Sequence, residues 1–333
     1  MGMSSPAVID LTSDDEADSS VDYDALCRRF VEITGSDSAC AHMFLQNYDW
    51  NLDNAVSTFF EVAGPAPTSP DNGSGCKIPE IKILSWNIDG LRPQSRVTRA
   101  KAVATVVLQE LPTFVFLQEV VAENLTVLNG MLSTQYECYA GTQEYTYFTV
   151  IYVRKGTAKR THKETVPFSQ TSMGREMVIV KLEGGQCPCV LVATHLESTA
   201  RFRRERISQL NEVYTFITAK VDSAQTVFFG GDLNLRDAEF VESSCDPSKV
   251  VDLWEVCGSS KATQYTWDCT KNDTLHLDGK FLPRNRFDRL YMRPSIPRAF
   301  KPKEFRLVGI HRIRATMCFP SDHFGILSVL DVL

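Results

Sequence analysis

The sequence lacks the features that would mark a membrane, secreted or zinc-binding protein. No apolar stretch approaches the roughly 20 residues needed to span a bilayer, and the N-terminus has no basic segment followed by an apolar one. The ten cysteines are scattered, and the only close pair, Cys187 and Cys189, has no second pair at zinc-ligand spacing. Internal repeats and coiled-coil heptads are absent as well. We therefore expect a soluble, intracellular protein with reduced thiols.

Charge is distributed unevenly along the chain. Its 333 residues, 43% of them hydrophobic, are enough for a large domain and a small module. Residues 1–62 contain 12 acidic residues and only two basic ones, a local net charge of −10. The remainder contains 33 basic and 29 acidic residues, a net charge of +4. A mildly basic body suits a polyanionic substrate, and the acidic front suits a different partner.

Residues 1–20 are polar and acidic, a composition that predicts a disordered tail. Within it, Val8-Ile9-Asp10-Leu11 precedes the acidic run Ser13-Asp14-Asp15-Glu16 and resembles a SUMO-interacting motif. Such a motif would bind by adding a strand to a sheet edge, with its acids against a basic rim. A solvated acidic tail explains the same residues equally well.

Residues 21–62 contain three short helical patterns. Leu26, Phe30 and Ile33 have helical spacing, Gly35 would end that helix, and Ser36 and Asn51 stand where the next helices would be capped. The segment resembles the UBA-like fold, which implies ubiquitin as a partner. The alternative is a helical bundle that only packs on the enzyme. Residues 63–77, rich in Pro, Gly and Ser, predict a flexible linker.

From residue 78 to 333, strand-like runs alternate with amphipathic segments. The predicted strands are 81–86, 114–118, 148–153, 177–182, 190–195, 226–230 and 324–330, and the predicted helices are 98–111, 123–132 and 201–220. The last helix begins with an arginine cluster, 201–206, that we interpret as a solvated surface. This alternation predicts two packed sheets flanked by helices.

Polar side chains recur where the predicted strands end. They are Asn87 and Asp89, then Glu119, then Asp232 and Asn234, and finally Asp322 and His323 just before the last strand. Metal-assisted phosphodiester hydrolysis requires oxygen ligands for a hard cation, a base for water and donors for the phosphoryl oxygens. Each residue alone has an ordinary structural explanation. The order of these residues along the chain, taken together, is the specific indication of this chemistry.

Five motifs carry a family resemblance: Ser85-Trp86-Asn87-Ile88-Asp89-Gly90-Leu91, Leu117-Gln118-Glu119-Val120, Thr194-His195-Leu196-Glu197-Ser198, Gly231-Asp232-Leu233-Asn234-Leu235-Arg236-Asp237 and Ser321-Asp322-His323. In this order they resemble the endonuclease/exonuclease/phosphatase superfamily over about three quarters of the chain. The resemblance implies an α/β (α+β) fold, a four-layer α/β/β/α sandwich of two mixed sheets. Leu233 departs from the small residue expected there, and its side chain should point into the core.

The resemblance also implies roles for these residues. Glu119 would bind Mg²⁺, for which Mn²⁺ could substitute, with Asn87 and Asp322 contributing through water. Asp232 would orient and deprotonate the attacking water, and Asn234 would hold that water or the phosphate. His323, paired with either Asp288 or Asp322, would donate to the phosphate oxygens. His195 and Ser198 are further candidates for phosphate contacts.

The Asn-Ile-Asp-Gly-Leu and Asn-Leu-Arg-Asp extensions, with a UBA-like module in front, resemble the 5′-tyrosyl-DNA phosphodiesterases of that superfamily. This implies hydrolysis of the bond between a protein tyrosine and a DNA 5′-phosphate. It also implies repair of trapped topoisomerase II adducts and a nuclear location, with the cytoplasm as a second compartment. A frayed single-stranded 5′ end would need cationic and aromatic contacts. The candidates are Tyr147, Arg175, Arg236, Trp267 and Phe287, followed by Arg284, Arg286 and Arg289.

Two alternatives remain open from the sequence. An abasic-site endonuclease or a lipid phosphatase of the same superfamily would use the same carboxylates. A ubiquitin or SUMO adaptor with an inert enzyme body would have no reason to keep Asn87, Glu119, Asp232 and His323 together.

Overall fold

The computed structural model describes residues 22–34, 36, 38–63, 79–275, 277 and 281–333. The predicted acidic tail with its resemblance to a SUMO-interacting motif, the predicted helix stop at Gly35 and most of the predicted linker lie outside the described residues. The chain divides into two compact units, Met1–Glu61 and Val62–Leu333. No helix in the described ranges is long and apolar enough to cross a membrane.

The first unit contains three helices, α1 (Tyr23–Thr34), α2 (Ser38–Asn47) and α3 (Leu52–Ala63). Phe30 lies at their centre with its ring 5.7 Å from that of Phe44 and 5.4 Å from that of Phe59. Asn51 Oδ1 accepts a hydrogen bond from the Asn54 amide at 3.0 Å, which satisfies an otherwise free donor at the start of α3. Helix α3 extends to Ala63, the first residue of the predicted linker.

The second unit contains fourteen strands and five α-helices within the described ranges. The strands are β1 (Glu80–Asn87), β2 (Phe114–Val120), β3 (Tyr136–Ala140), β4 (Phe148–Arg154), β5 (Arg160–Pro167), β6 (Glu176–Glu183), β7 (Cys189–His195), β8 (Thr226–Asp232), β9 (Val251–Asp252), β10 (Trp267–Asp268), β11 (Arg284–Asn285), β12 (Asp288–Arg293), β13 (Phe300–Val308) and β14 (Gly325–Val332). The helices are α4 (Arg96–Glu110), α5 (Ala122–Leu132), α6 (Arg203–Thr215), α7 (Asp237–Glu242) and α8 (Leu253–Val256).

Two six-stranded mixed sheets pack face to face. Their strand orders are β13-β14-β1-β2-β4-β3 and β5-β6-β7-β8-β12-β9, and β10 and β11 form a separate hairpin. The core between the sheets includes Ile83 and Phe116 from the first and Val180, Leu191 and Phe228 from the second. The predicted strands and the two-sheet fold are confirmed. Strands β3, β5 and β9 to β13 were not predicted. The mixed or largely exposed residues of β3, β5 and β13 break a clear apolar alternation, and β9, β10 and β11 are only two residues long. Strand β12 is buried, but its charged residues at both ends hide its apolar centre in the sequence.

Helix α6 covers the outer face of the second sheet. Leu210 and Val213 pack against Ile179, Val192 and Phe229 there. Leu233 is fully buried in the same cluster, as predicted from its position between Asp232 and Asn234. Helices α4 and α5 pack against each other through many contacts, and each has one buried face.

Each sheet has one parallel strand pair near its centre, β1–β2 in the first and β7–β8 in the second. The two strands of a parallel pair end at the same edge of the sheet. This topology brings Asn87 and Glu119 to one edge of the first sheet, and His195 and Asp232 to one edge of the second. A Cβ on Gly231, whose φ is +142°, would lie 1.9 Å from the Thr194 carbonyl oxygen. Strand β8 can therefore approach β7 this closely only because residue 231 is a glycine.

We predict that Gly231→Ala lowers the free energy of unfolding by at least about 2 kcal/mol, because the backbone must move to relieve the clash. Urea denaturation followed by circular dichroism measures the change. Gly130→Ala in α5 is the matched control, since its Cβ meets nothing within 4 Å. That control should gain about 0.5–1 kcal/mol from helix propensity. Equal midpoints for Gly231→Ala and wild type would contradict the argument.

Candidate active site

Three polar residues form one row across the second sheet. His195 is the register partner of Asp232 in the parallel β7–β8 pair, and Asp232 is the register partner of Asp288 in the antiparallel β8–β12 pair. All three side chains are buried, and His195 Nε2 lies 3.3 Å from Asp232 Oδ2. Strand register therefore places the acids and the imidazole side by side.

The first sheet meets this row through Asn87. Asn87 Nδ2 donates a hydrogen bond to Asp232 Oδ2 at 2.9 Å. The loop before β14 is tied to the same strand end, because Ser321 Oγ donates to the Asn87 carbonyl at 2.6 Å and Trp86 Nε1 donates to the His323 carbonyl at 2.9 Å. Asn87, Asp232 and His323, which are far apart in sequence, consequently share one buried site.

His323 is held as an imidazolium. Its Nδ1 lies 2.8 Å from Asp288 Oδ2, and its Nε2 lies 3.8 Å from Asp232 Oδ2. Burial alone would lower the pKa of His323, but the carboxylates of Asp288, Asp322 and Asp232 outweigh burial and hold the pKa well above its usual value. Of the two carboxylates considered as its partner, Asp288 is the one bonded to the ring. The charged ring can therefore donate a hydrogen bond from Nε2.

His195 has the opposite character. Burial and the neighbouring Arg175 charge lower the pKa of His195 to about 4, so the ring is neutral at neutral pH. Its Nδ1 lies 2.9 Å from an Arg175 guanidinium nitrogen, which can only donate, so the ring proton is on Nε2 and faces Asp232. Arg175 also donates to Ser198 Oγ at 3.0 Å and lies 5.1 Å from the centre of the Tyr147 ring. Arg175, His195, Ser198 and Tyr147 thus form one connected group.

Asp232 is an ionised acceptor despite complete burial. Burial raises its pKa, but the two imidazoles and the hydrogen bonds from His195 and Asn87 outweigh burial and hold the pKa below its usual range. Because His195 is neutral, the positive charge that stabilises the carboxylate at neutral pH is that of His323. The Asn234 amide donates to Asp232 Oδ1 at 3.0 Å, and Asn234 itself has a φ of +51°. Asparagine tolerates this left-handed conformation better than most residues do.

Glu119 lies at the end of β2 in a strained backbone conformation. Its φ is +55°, and the β2–β4 register shifts between Leu117 and Val120. A Cβ on Gly90 would lie 2.0 Å from the Glu119 carbonyl oxygen, so the loop after β1 can pack against Glu119 only because residue 90 is a glycine. Burial and the Asp322 carboxylate raise the pKa of Glu119 to about 7. Such strain is usual where a side chain must be aimed into a site.

Two groupings in the described part of the chain could hold a cation. The ligand-type atoms of Asp232, Asp288 and His323 lie within 4.8 Å of one another. In this group His323 Nδ1 and Asp288 Oδ2 are already bonded to each other at 2.8 Å. Glu119 and Asp322 are a second candidate pair of oxygen ligands, because burial and the Asp322 carboxylate raise the pKa of Glu119 and a bound divalent ion would offset the repulsion between the two carboxylates.

A wall of aromatic and cationic side chains borders the site. Trp267 Nε1 donates to Asp322 Oδ2 at 3.2 Å, and the Trp267 ring centre lies 5.6 Å from that of Phe287. The Arg236 guanidinium lies 5.3 Å from the centre of the Phe287 ring. The structure therefore brings the DNA-contact candidates Trp267, Phe287 and Arg236 together beside Asp322. It places Tyr147 and Arg175 with His195.

Three other arginines proposed for DNA contact are paired with carboxylates of the protein. Arg289 is buried and bonded to Asp237, Arg286 is bonded to Asp252, and Arg284 is paired with Asp268. The interpretation of 201–206 as a solvated cluster was wrong for its last member. Arg206 is fully buried and makes two hydrogen bonds to Glu239, a long-range pairing that local sequence does not reveal.

Arg99 in α4 was also missed, although it joins two site loops. Its guanidinium donates to backbone carbonyls on both sides of the site, those of Ile88, Asp89, Arg92, Gln94 and Pro320. The loop after β1 and the loop before Ser321 are thereby fixed to each other. A single arginine within a helical pattern carries no sequence signal for such a contact.

We predict that Arg99→Met destabilises the protein by about 3 kcal/mol, because it leaves several buried carbonyl oxygens without donors. Urea unfolding measures the difference. Lys101→Met on the same helix is the control, since Lys101 is exposed, and it should change stability by less than about 0.5 kcal/mol. The bridging function assigned to Arg99 is incorrect if both variants unfold at the wild-type midpoint.

Comparison with known proteins agrees with this geometry. Residues 84–323 match the endonuclease/exonuclease/phosphatase family, and residues 24–65 match the UBA-like domain. A 5′-tyrosyl-DNA phosphodiesterase from Caenorhabditis briggsae is 34% identical, with 96% of each chain covered. Tyrosyl-DNA phosphodiesterase 2 from Homo sapiens is 30% identical, with 92% of each chain covered.

Solved structures give the same relationship. A crystal structure of TDP2 from C. elegans superimposes with a TM-score of 0.68 at 35% identity, covering 98% of this chain and 99% of that one. A crystal structure of D. rerio TDP2 complexed with a single-strand DNA product has a TM-score of 0.71 at 30% identity, covering 76% of this chain and 100% of that one. The chain is thus a phosphodiesterase with a UBA-like domain, and it belongs to the tyrosyl-DNA phosphodiesterases of the endonuclease/exonuclease/phosphatase family.

Proposed function

We propose that this chain hydrolyses the bond between a protein tyrosine and a DNA 5′-phosphate in a Mg²⁺-dependent reaction that releases 5′-phosphate DNA. The observation that carries the proposal is the convergence of Asn87, Glu119, Asp232 and His323 at one edge of the two sheets. The names of the relatives supply the substrate class, because their printed activity is tyrosyl-DNA phosphodiesterase.

Asp232 is proposed to orient the attacking water and accept its proton. Its carboxylate is ionised and fixed by Asn87 and by the Asn234 amide, so little reorganisation is needed when water binds. The depressed pKa makes Asp232 a weak base. Its contribution is therefore mainly the placement of the water, and the Asn234 side chain holds the water or the phosphate beside it.

His323 is proposed to stabilise the phosphate oxygens as charge develops. The imidazolium is anchored through Nδ1 to Asp288, so Nε2 is available to donate to an oxygen of the transition state. Ser198 and His195, which both contact Arg175, are proposed as further phosphate contacts. The leaving group is a phenolate, whose parent acid has a pKa of about 10, so protonation by a dedicated general acid is dispensable.

Glu119 is proposed as the direct ligand of Mg²⁺, with Asn87 and Asp322 contributing through water. When bound, the ion supplies Lewis-acid stabilisation of the phosphoryl oxygens. Glu119 is suited to this function because the Asp322 carboxylate raises its pKa, a repulsion that a bound cation would offset, and because Gly90 allows a close approach to its carbonyl oxygen.

The DNA strand is proposed to enter between two groups of side chains. Tyr147 and Arg175 lie on one side, and Trp267, Phe287 and Arg236 lie on the other. Guanidinium groups suit backbone phosphates, and aromatic faces suit unpaired bases. The single-strand DNA product in the D. rerio relative supports a single-stranded 5′ end as the substrate.

The biological setting is proposed from the family and from the acidic front of the chain. The substrate would be a topoisomerase II adduct in the nucleus, with the cytoplasm as a second compartment. The UBA-like domain would bind ubiquitin or a ubiquitylated protein. The Val8-Ile9-Asp10-Leu11 segment would bind SUMO.

We predict that the full-length chain releases 5′-phosphate DNA from a 5′-phosphotyrosyl oligonucleotide in the presence of Mg²⁺. Glu119→Ala and Asp232→Asn should each lower kcat/KM by at least about 100-fold, since each removes a group that acts on the transition state. Gel electrophoresis of a labelled strand measures the rate. An abasic duplex is offered in parallel. Cleavage of that duplex alone would replace the proposed function with an abasic-site endonuclease.

Metal binding separates the two possible cation positions. We predict that isothermal titration with Mg²⁺ detects binding to wild type and that Glu119→Ala abolishes it, whereas Asp288→Asn retains it. Glu123→Ala, which changes an exposed acid on α5, is the control and should bind as wild type does. Loss of binding in Asp288→Asn with retention in Glu119→Ala would assign the ion to the Asp232, Asp288 and His323 group instead.

A further inference from the structure

The loop between β5 and β6 is anchored by a buried glutamate with no cationic partner among the described residues. Glu197 Oε1 accepts three hydrogen bonds, from Thr171 Oγ1 at 2.8 Å, the Ser172 amide at 2.6 Å and the Met173 amide at 3.1 Å. Its other oxygen, Oε2, is buried without a hydrogen-bond partner. Burying a carboxyl oxygen without a partner costs stability, and the three hydrogen bonds to Oε1 offset part of that cost while they hold residues 171–173.

Glu197 is itself rigidly held. Its amide donates to Gln209 Oε1 at 3.0 Å, and its carbonyl accepts from Arg206 at 2.8 Å. Gln209 and Arg206 are fully buried on α6, and Glu239 fixes the Arg206 guanidinium in turn. The carboxylate is therefore a fixed point for the loop, since helix α6 holds its backbone on both sides.

The anchored loop leads directly to Arg175. The Thr171 hydroxyl that donates to Glu197 also accepts a hydrogen bond from the Arg175 amide at 2.7 Å. Arg175 then reaches His195 and Ser198 through its guanidinium. Contacts thus run without a gap from the Glu197 carboxylate through Thr171 to the cation beside the site.

We propose that Glu197 is a positioning residue that holds the 171–173 segment so that the Arg175 guanidinium is preorganised to bind a phosphate of the DNA strand. The inference rests on the proposed function for the identity of the ligand. The arrangement of Glu197, Thr171 and Arg175 is a property of the protein itself. Preorganisation matters because a guanidinium free to rotate must lose that freedom when it binds.

The test is a double-mutant cycle on DNA binding, which does not depend on hydrolysis. The full-length chain is titrated with a fluorescent, 5′-phosphorylated single-stranded oligonucleotide without added metal, and anisotropy gives Kd. We expect Glu197→Ala and Arg175→Ala each to weaken binding about tenfold, the scale of one charge-assisted phosphate contact. The double variant should bind no more than about twofold more weakly than Arg175→Ala, because the two residues act through one contact.

Two further variants separate positioning from loss of structure. Glu197→Gln should remain within about threefold of wild type, since its amide oxygen can accept the same hydrogen bonds. Glu212→Ala is the matched control, because Glu212 anchors Ser169 of the same loop and lies outside the Thr171–Arg175 contacts. It should bind DNA as wild type does. If Glu197→Ala fails to fold, Thr171→Val replaces it in the cycle with Arg175→Ala.

The possible outcomes are distinguishable. An additive cycle, or wild-type affinity in Glu197→Ala, overturns the positioning inference whatever the enzyme cleaves. Absence of oligonucleotide binding in wild type overturns it as well, since Arg175 would then have no phosphate to meet. Wild type that binds the oligonucleotide with the expected coupling but does not cleave the tyrosyl substrate refutes the proposed function and leaves the positioning inference standing.

Discussion

One hydrogen bond joins the two sheets at the edge where the chemistry is proposed. Asn87 Nδ2 at the end of β1 donates to Asp232 Oδ2 at the end of β8, over 2.9 Å. Around it, the parallel pairs β1–β2 and β7–β8 end together, and the row of His195, Asp232 and Asp288 extends across the second sheet. A shift of one sheet relative to the other would break this contact. Their packed core is thus what keeps the site assembled.

Burial gives the site its electrical character. Two histidines a few ångströms from one aspartate have opposite charge states, because His323 is surrounded by carboxylates and His195 is next to a guanidinium. The site therefore has one charged hydrogen-bond donor, His323, and one neutral donor, His195. Burial and the Asp322 carboxylate raise the pKa of Glu119, so a cation bound there would favour its ionised form. Environment alone distinguishes these otherwise ordinary side chains.

Positioning depends on long-range polar contacts from the helices. Arg99 in α4 ties the loop after β1 to the loop before β14, and Arg206 and Gln209 in α6 hold the segment around Glu197. In both cases a buried side chain satisfies backbone groups of loops that have no regular pairing of their own. The sandwich therefore provides the frame, and the helices on its outer faces hold the loops that carry site residues.

The sequence by itself determined the strands with strong apolar runs, the order of the polar motifs and the set Asn87, Glu119, Asp232 and His323, because these are properties of local pattern. It left open whether Asp288 or Asp322 pairs with His323. The structure decided this question, because strand register places Asp288 beside Asp232, where it bonds to His323. Asp322 instead accepts a hydrogen bond from the Trp267 indole. The anchoring by Arg99, Arg206 and Glu197 likewise came from tertiary structure, since each contact joins a side chain to segments brought near only by packing of the sheets and helices.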